Sequence, residues 1–129
     1  MIMIDPSRVL AGKRVLIVED ELLVALMIED VLADLGCEVV GPFGSVAQAL
    51  PAAGSEPIDL AVLDVNLGGE MVYPVAERLG ERDIPFLFVS GYGGDAIPEG
   101  KVDWKVCAKP FHPKELARMM AALLKPVAQ

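Results

Sequence analysis

Polar side chains that could bind a metal ion or take part in a reaction stand at the ends of four apolar stretches of this sequence. The run "RVLIVED" ends on Glu19 and Asp20, "LAVLD" ends on Asp64, "FLFVS" ends on Ser90 and "KVCAK" ends on Lys109. Carboxylates hold hard cations such as Mg²⁺, while a hydroxyl and an ammonium group stabilise the charge of a phosphoryl group during transfer. These residue types indicate metal-dependent phosphoryl chemistry, provided that the fold brings them together.

The three acids could not share one site without a counter-charge. Two carboxylates about 4 Å apart repel by on the order of 4 kcal/mol at an effective dielectric near 20. That is comparable with the whole stability of a small domain, roughly 5 to 15 kcal/mol, so the cluster must take up a proton or hold a cation. Oxygen ligands with no His or Cys beside them favour Mg²⁺. Asp64, which is isolated in the sequence, could then accept the phosphoryl group, with Ser90 and Lys109 beside it.

The elements that must position these residues can be predicted from hydrophobic periodicity. Short apolar runs predict strands at 14–19, 37–41, 58–64, 85–90 and 105–109. Helical spacing predicts helices over about 21–35, 45–53, 70–80 and 113–124. The segment 91–103 holds four glycines and a proline, so a helix there should be short or irregular.

Strands that alternate with helices predict an α/β fold, a doubly wound parallel sheet with helices on both faces. In such sheets the ligand site lies beyond the carboxyl ends of the strands. The polar residues at the strand ends should therefore converge on one edge. With the strand order 2-1-3-4-5, Cys37 and Cys107 would lie at opposite edges and could not form a disulfide.

Composition narrows the class of protein further. The chain has 129 residues, 53% of them hydrophobic, which suffices for one core. Its net charge of -8 and its scattered Lys and Arg residues argue against a nucleic-acid partner. No apolar run has the length of a membrane span, and the N-terminus lacks the pattern of a signal peptide. We expect a cytoplasmic protein without a membrane partner, with one domain at 13–125, an N-terminal extension at 1–12 and a tail at 126–129.

The motifs "VLIVEDE", "LAVLDVNL", "FLFVSG" and "CAKPF", in this order, resemble those of a bacterial response-regulator receiver domain of the chemotaxis-regulator type. The resemblance covers about 13–125. It implies a flavodoxin-like five-stranded sheet, and it implies that Asp64 is the phosphoacceptor while Ser90 and Lys109 contact the phosphoryl group. It also implies a cis peptide bond before Pro110.

The resemblance further implies the cofactor and the partners. Mg²⁺ would be held by Asp20, Asp64 and the backbone carbonyl of Asn66, with Glu19 assisting through water. The phosphate would come from a histidine kinase or a phosphotransfer protein, and phosphorylation would switch contacts with a downstream protein that the sequence does not identify. Such a domain is not an enzyme in the usual sense, because it catalyses only its own phosphorylation and dephosphorylation. No output domain is visible, so we expect a single-domain receiver.

The sequence departs from the family pattern near the switch. Val106 stands where typical receivers have a Tyr or Phe whose rotation reports phosphorylation. The loop "GYGG" after Ser90 is similar to that of a subgroup of stand-alone receivers, so Tyr92 is a candidate for the missing role. Gly68 replaces a proline found in many relatives.

Several alternatives remain open at this point. The chain could be a phosphate sink or a relay intermediate rather than an output switch. A phosphohydrolase of the haloacid dehalogenase kind would require a second Asp where this chain has Asn66, and a nucleotide- or flavin-binding fold would require a glycine-rich turn after the first strand. We expect Glu21 only to cap the first helix. We expect four apolar residues of that helix to be buried in a wide core contact, with a partner or dimer surface as the alternative: Leu22, Leu23, Leu26 and Met27.

Overall fold

The computed structural model of the chain describes residues 5–91, 97–98, 100–101 and 104–124. Its strands are β1 (Arg14–Val18), β2 (Glu38–Phe43), β3 (Leu60–Asp64), β4 (Asn66–Leu67), β5 (Glu70–Met71), β6 (Phe86–Ser90) and β7 (Lys105–Ala108). Its helices are α1 (Pro6–Leu10), α2 (Leu22–Asp34), α3 (Val46–Ser55), α4 (Tyr73–Glu81) and α5 (Pro113–Leu124).

Five strands form one sheet in the order β2-β1-β3-β6-β7, and every neighbouring pair is parallel. Counting only these five strands, the order is 2-1-3-4-5, so the predicted flavodoxin-like fold is confirmed. Cys37, just before β2, and Cys107, in β7, belong to opposite edges of the sheet, and both are free thiols.

Alternate residues of the central strands enter two separate hydrophobic layers, one on each face of the sheet. In β1, Leu16 packs into the layer that α3 and α4 cover, whereas Ile17 packs into the layer that α1, α2 and α5 cover. All five residues of β3 are buried. This two-sided burial explains why the strands are apolar at nearly every position.

The ends of α2 and α3 match local sequence signals. Gly36 follows α2 with a φ of 77°, the left-handed conformation that favours glycine. At the start of α3, the Ser45 hydroxyl accepts a hydrogen bond from the backbone N–H of Gln48.

At the far end of α3, the Arg82 guanidinium donates to the carbonyls of Ala53 and Glu56, at 2.6 and 2.9 Å. Arg82 thereby ties the end of α3 to the end of α4.

The predicted helix over 70–80 is wrong at its start. Residues 66–71 form a small antiparallel hairpin instead, β4 and β5, and α4 begins only at Tyr73. The turn consists of Gly68 and Gly69, whose φ angles are 65° and 99°, and the Asn66 side chain accepts a hydrogen bond from the backbone N–H of Gly69 at 2.6 Å. Two glycines with positive φ favour a two-residue hairpin turn, and this local preference overrides the helical spacing.

The short helix α1 was not among the predicted elements. Asp5 caps it by accepting a hydrogen bond from the backbone N–H of Ser7, and it packs on α5. Leu10 is fully buried in the layer shared with α2 and α5. Residues 6–10 are therefore joined to the core of the domain.

Two other features of the fold bear on the sequence analysis. Much of the segment 91–103 lies outside the described residues, and those of its residues that are described form no helix. Within the described ranges, no helix combines the length and apolar character needed to cross a membrane.

Candidate functional site

The parallel registers bring the carboxyl ends of four strands to one edge of the sheet. Val18 of β1 pairs with Leu63 of β3, Asp64 pairs with Val89 of β6, and Ser90 pairs with Ala108 of β7. Each of these strands therefore presents its last residue, or the residue after it, at the same edge of the sheet.

A cavity of about 470 Å³ opens at this edge. In the five-stranded sheet, every strand end except that of β2 contributes to its lining. The described lining residues are Glu21, Asp64, Asn66, Ser90, Gly91 and Lys109. The structure thus brings Asp64, Ser90 and Lys109 together, as the sequence predicted.

Three carboxylates meet beside the cavity. Glu19, Asp20 and Asp64 each offer an oxygen, and these oxygens lie within 4.8 Å of one another. Glu19 and Asp64 are only 4% and 7% exposed, whereas Asp20 is exposed. A divalent cation could therefore reach the cluster from the Asp20 side.

The hydrogen bonds of Glu19 test whether the residues fit a cation. Its Oε2 accepts a hydrogen bond from the backbone N–H of Glu21 at 3.1 Å. Its Oε1 is buried and accepts no hydrogen bond from the described residues, although it lies 3.2 Å from Lys109 Nζ in an ion-pair contact. An ion pair without a hydrogen bond only partly offsets the cost of burying this oxygen. The donor set and this oxygen both fit a hard divalent cation.

Lys109 is the counter-charge that the described chain supplies. Its Nζ lies 3.3 Å from Asp64 Oδ1 and 3.2 Å from Glu19 Oε1, and its backbone N–H donates to the Ser90 carbonyl at 2.8 Å. Burial alone would lower the pKa of Lys109, but the charges of Asp64 and Glu19 outweigh it, so the pKa is raised. Lys109 is therefore charged at neutral pH. The peptide bond between Lys109 and Pro110 is cis.

Asp64 is the acid most affected by its surroundings. Burial raises the pKa of Asp64, the neighbouring charge of Glu19 raises it further, and Lys109 only partly opposes them, so that the pKa is about 7. Without a bound cation, Asp64 is thus partly protonated at neutral pH. This result agrees with the expectation that the acid cluster takes up either a proton or a cation.

Ser90 and Asn66 both line the cavity. Ser90 is the last residue of β6 and is buried. Asn66 opens the hairpin, and its side chain is occupied by the bond to Gly69. A Cβ added at Gly68 would lie 3.7 Å from Asp20 Oδ2, so the hairpin turn packs against the acid cluster.

Glu21 differs from its expected role. It occupies the N-cap position of α2, but its side chain makes no capping hydrogen bond. Its carboxylate lies instead 3.7 Å from Lys109 Nζ and lines the cavity. The expectation that Glu21 only caps the helix is therefore wrong, and a position directly after two site acids was the signal available in the sequence.

The expected burial of four apolar residues in α2 is also wrong. Leu22 and Leu23 are 71% and 76% exposed, and Leu26 and Met27 are exposed as well. We call these four residues the α2 patch. The helix is apolar around most of its circumference, so periodicity could not tell that its fully buried residues would be Ala25, Ile28, Val31 and Leu32.

The switch candidate Tyr92 lies outside the described residues. Val106, at the position of the missing aromatic residue, is partly buried and pairs with Phe88. Trp104 packs beside this pair, with its ring centroid 5.2 Å from that of Phe88 and 5.4 Å from that of Phe86. Aromatic side chains thus fill the sheet face next to Val106.

The raised pKa of Asp64 predicts how stability depends on pH in metal-free buffer. Between pH 3.8 and about 7 the folded state keeps a proton that the unfolded state has released. A rise in pH therefore favours unfolding across this window. We expect the free energy of unfolding of the wild type, measured in urea with a chelator present, to fall with pH relative to that of Asp64→Asn. Asp34→Asn, at the far end of α2, is the control and should follow the wild type, and a constant difference between wild type and Asp64→Asn would contradict the prediction.

Comparison with known proteins identifies the family. The model of the response regulator receiver domain matches residues 15–121. The chain is 33% identical over 117 residues to the transcriptional regulatory protein YvrH of Bacillus subtilis, and 34% identical over 119 residues to the probable transcriptional regulator ycf27 of Cyanophora paradoxa. These matches cover 86% and 88% of this chain but only 48% of each curated relative, so the chain spans about half their length.

Solved structures agree with that assignment. SdrG from Sphingomonas melonis Fr1 is 46% identical and superimposes with a TM-score of 0.76 over 88% of this chain and 98% of that chain. The response regulator PhyR from Brucella abortus is 26% identical, with a TM-score of 0.79 over 92% of this chain and 50% of that chain. The chain therefore belongs to the response regulator receiver domain family of two-component signalling proteins.

Proposed function

We propose that this protein accepts a phosphoryl group on Asp64 from the phosphohistidine of a histidine kinase or a phosphotransfer protein, and that the modified form changes its contacts with another protein. The observation that carries the proposal is the setting of Asp64, a nearly buried carboxylate at the wall of the cavity, 3.3 Å from Lys109 and beside two further acids. The proposed donor places the reaction in the cytoplasm.

The transfer would form one bond and break another. An Asp64 oxygen attacks phosphorus, the bond between phosphorus and the imidazole nitrogen breaks, and its electron pair stays on that nitrogen. Asp64 must be ionised for this attack. Lys109, which already contacts Asp64, would move to a phosphoryl oxygen, and Ser90 would contact a second one.

We propose Mg²⁺ as the cofactor. Asp20, Asp64 and the backbone carbonyl of Asn66 would hold it, and Glu19 would assist through water, as the buried oxygen of Glu19 supports. When bound, Mg²⁺ offsets the charge of the acids and of the incoming phosphoryl group. A cation so close to Asp64 also favours its ionised form, which is the nucleophile.

The α2 patch is where we propose that the phosphohistidine protein docks. It begins at Leu22, the residue directly after Glu21 on the cavity wall. A protein that inserts a histidine into this cavity must cover the adjacent turn of α2. Exposed apolar patches on soluble domains commonly mark such contacts.

The output of the protein remains a choice between proposals. Phosphorylation could switch a target protein, or the chain could pass the phosphate on or act as a sink. Tyr92 is our proposed switch, because it follows Ser90 by two residues and Val106 offers no ring to rotate. The haloacid dehalogenase alternative has no support, since position 66 is Asn rather than Asp.

A small phosphodonor tests the phosphoacceptor directly. We expect incubation with acetyl phosphate and Mg²⁺ to yield a product one phosphoryl group heavier by intact-protein mass spectrometry. The product should be labile to alkali, as an acyl phosphate is, and it should not form in Asp64→Asn or with a chelator. Labelling that persists in Asp64→Asn would overturn the assignment.

If the phosphohistidine protein docks on the α2 patch, a substitution in the patch should slow transfer from that protein but not from a small donor. From a panel of purified autophosphorylated kinases, the one that phosphorylates the wild type fastest serves as the donor. We expect Leu23→Ser to slow this transfer by at least about fivefold, the effect of losing a substantial interface contact, while labelling by acetyl phosphate is unchanged. Val39→Ser, which removes an exposed apolar side chain from β2, is the control. Equal losses with both donors would place the defect in the cavity and contradict docking on α2.

If Tyr92 is the switch, its removal should leave phosphorylation of Asp64 intact but abolish the structural change that follows. Tyr92→Ala should still be phosphorylated on Asp64, but the phosphorylation-induced changes in the amide chemical shifts of β7 and α5 should be lost. Tyr92→Phe, which keeps the ring, should retain them. If Tyr92→Ala shows the same shift changes as the wild type, Tyr92 is not the switch.

A further inference from the structure

We infer that Glu21 biases the cavity against small, doubly charged phosphodonors, because it places a negative charge at the cavity mouth. This inference rests on the proposed phosphoacceptor function. It concerns a residue that the three-acid cluster and the phosphoryl contacts leave without a role.

The position of Glu21 shows that its charge is available at the mouth. Its side chain is 66% exposed, yet its carboxylate lines the cavity. The helix does not use it, because the N-cap makes no side-chain hydrogen bond. Its contact with Lys109 Nζ, at 3.7 Å, is longer than those of Glu19 and Asp64 with the same atom.

The charges around the cavity make Glu21 the excess anion. With a divalent cation bound, that cation and Lys109 balance Glu19, Asp20 and Asp64. Glu21 then leaves one negative charge uncompensated among the described residues at the site. It also competes for Lys109, the cation that an incoming phosphoryl group must recruit.

This charge affects small donors and protein donors differently. A free acyl phosphate can contact the protein only at the cavity, so it gains nothing from the α2 patch that would offset the repulsion. A phosphohistidine protein can cover the α2 patch, which begins at the next residue, and the contacts made there offset the repulsion at the mouth. Glu21 would thereby reduce phosphorylation by small metabolites relative to that by the proper partner.

The expected size of the effect is modest because the carboxylate faces solvent. Single exposed charges change an equilibrium or a rate by about twofold to fivefold, and salt screens them. The effect should also increase with the charge of the donor.

The experiment compares Glu21→Gln with Asp34→Asn, a control that removes one acid from the opposite end of α2. Both variants change the net charge of the protein equally, and Asp34 lies about 20 Å from Glu21 along the helix. The second-order rate constant of phosphorylation is measured at saturating Mg²⁺ with acetyl phosphate, which is doubly charged at pH 7, and with phosphoramidate, which is singly charged. Each donor is used at low and at high ionic strength.

We expect Glu21→Gln to react with acetyl phosphate about twofold to fivefold faster than the wild type at low ionic strength. The gain should be smaller with phosphoramidate and should disappear near 1 M salt, where the screening length is about 3 Å. Asp34→Asn should match the wild type. Glu21→Asp, which keeps the charge, should return the rate towards that of the wild type.

Two patterns would overturn the inference. If Glu21→Gln matches the wild type with both donors, the charge has no role at the mouth. If both donors change equally, or if salt leaves the gain intact, Glu21 acts through the shape of the cavity instead. A wild-type protein that takes a phosphoryl group from neither donor would overturn the proposed function itself, and this inference with it.

Discussion

The charge of Asp64 is the constraint around which the functional edge of this protein is arranged. Asp64 stands at the end of a fully buried strand, beside the buried Glu19, and Lys109 is the described amine that contacts both carboxylates. Burial and the neighbouring charge of Glu19 raise the pKa of Asp64 to about 7, and Lys109 only partly opposes them. A divalent cation bound beside Asp64 would oppose that shift by favouring the carboxylate, so the site is better suited to an ionised Asp64 with the cation than without it.

The parallel sheet explains why the acids meet where they do. Covering both faces of the sheet leaves no polar position inside β1, β3 or β6, so polar side chains can stand only where the strands end. Because all neighbours are parallel, those ends share one edge. Lys109 reaches the same edge from β7, where its backbone N–H is bonded to the Ser90 carbonyl. The geometry of the site is thus a consequence of strand direction and register.

Apolar runs that alternate with helices and end on a polar residue were sufficient to predict a parallel sheet and the meeting of Asp64, Ser90 and Lys109 at its edge. The strand order came from the resemblance to receiver domains. The sequence was insufficient to predict features that depend on short-range interactions or on exposure to solvent. The hairpin at 66–71 depends on a two-glycine turn and one side-chain hydrogen bond, which periodicity does not register. Helix α1 has five residues, of which only Leu10 is buried. So short a segment shows no hydrophobic periodicity from which a helix could be predicted. In α2 nearly every face is apolar, so its exposed side could be recognised only after its neighbours had been placed.

Different residues of helix α2 and its N-cap have three different roles. Ile28 and Leu32 fix it to the sheet, Glu21 borders the cavity, and the four residues of the α2 patch face solvent. Since the buried stripe alone anchors the helix, the patch can vary in sequence with little cost to the fold or to the acid cluster. If a partner docks on this patch as proposed, the choice of partner could change while the proposed chemistry at Asp64 is preserved. This separation is useful in a signalling domain, in which one reaction must serve many distinct partners without confusion between them.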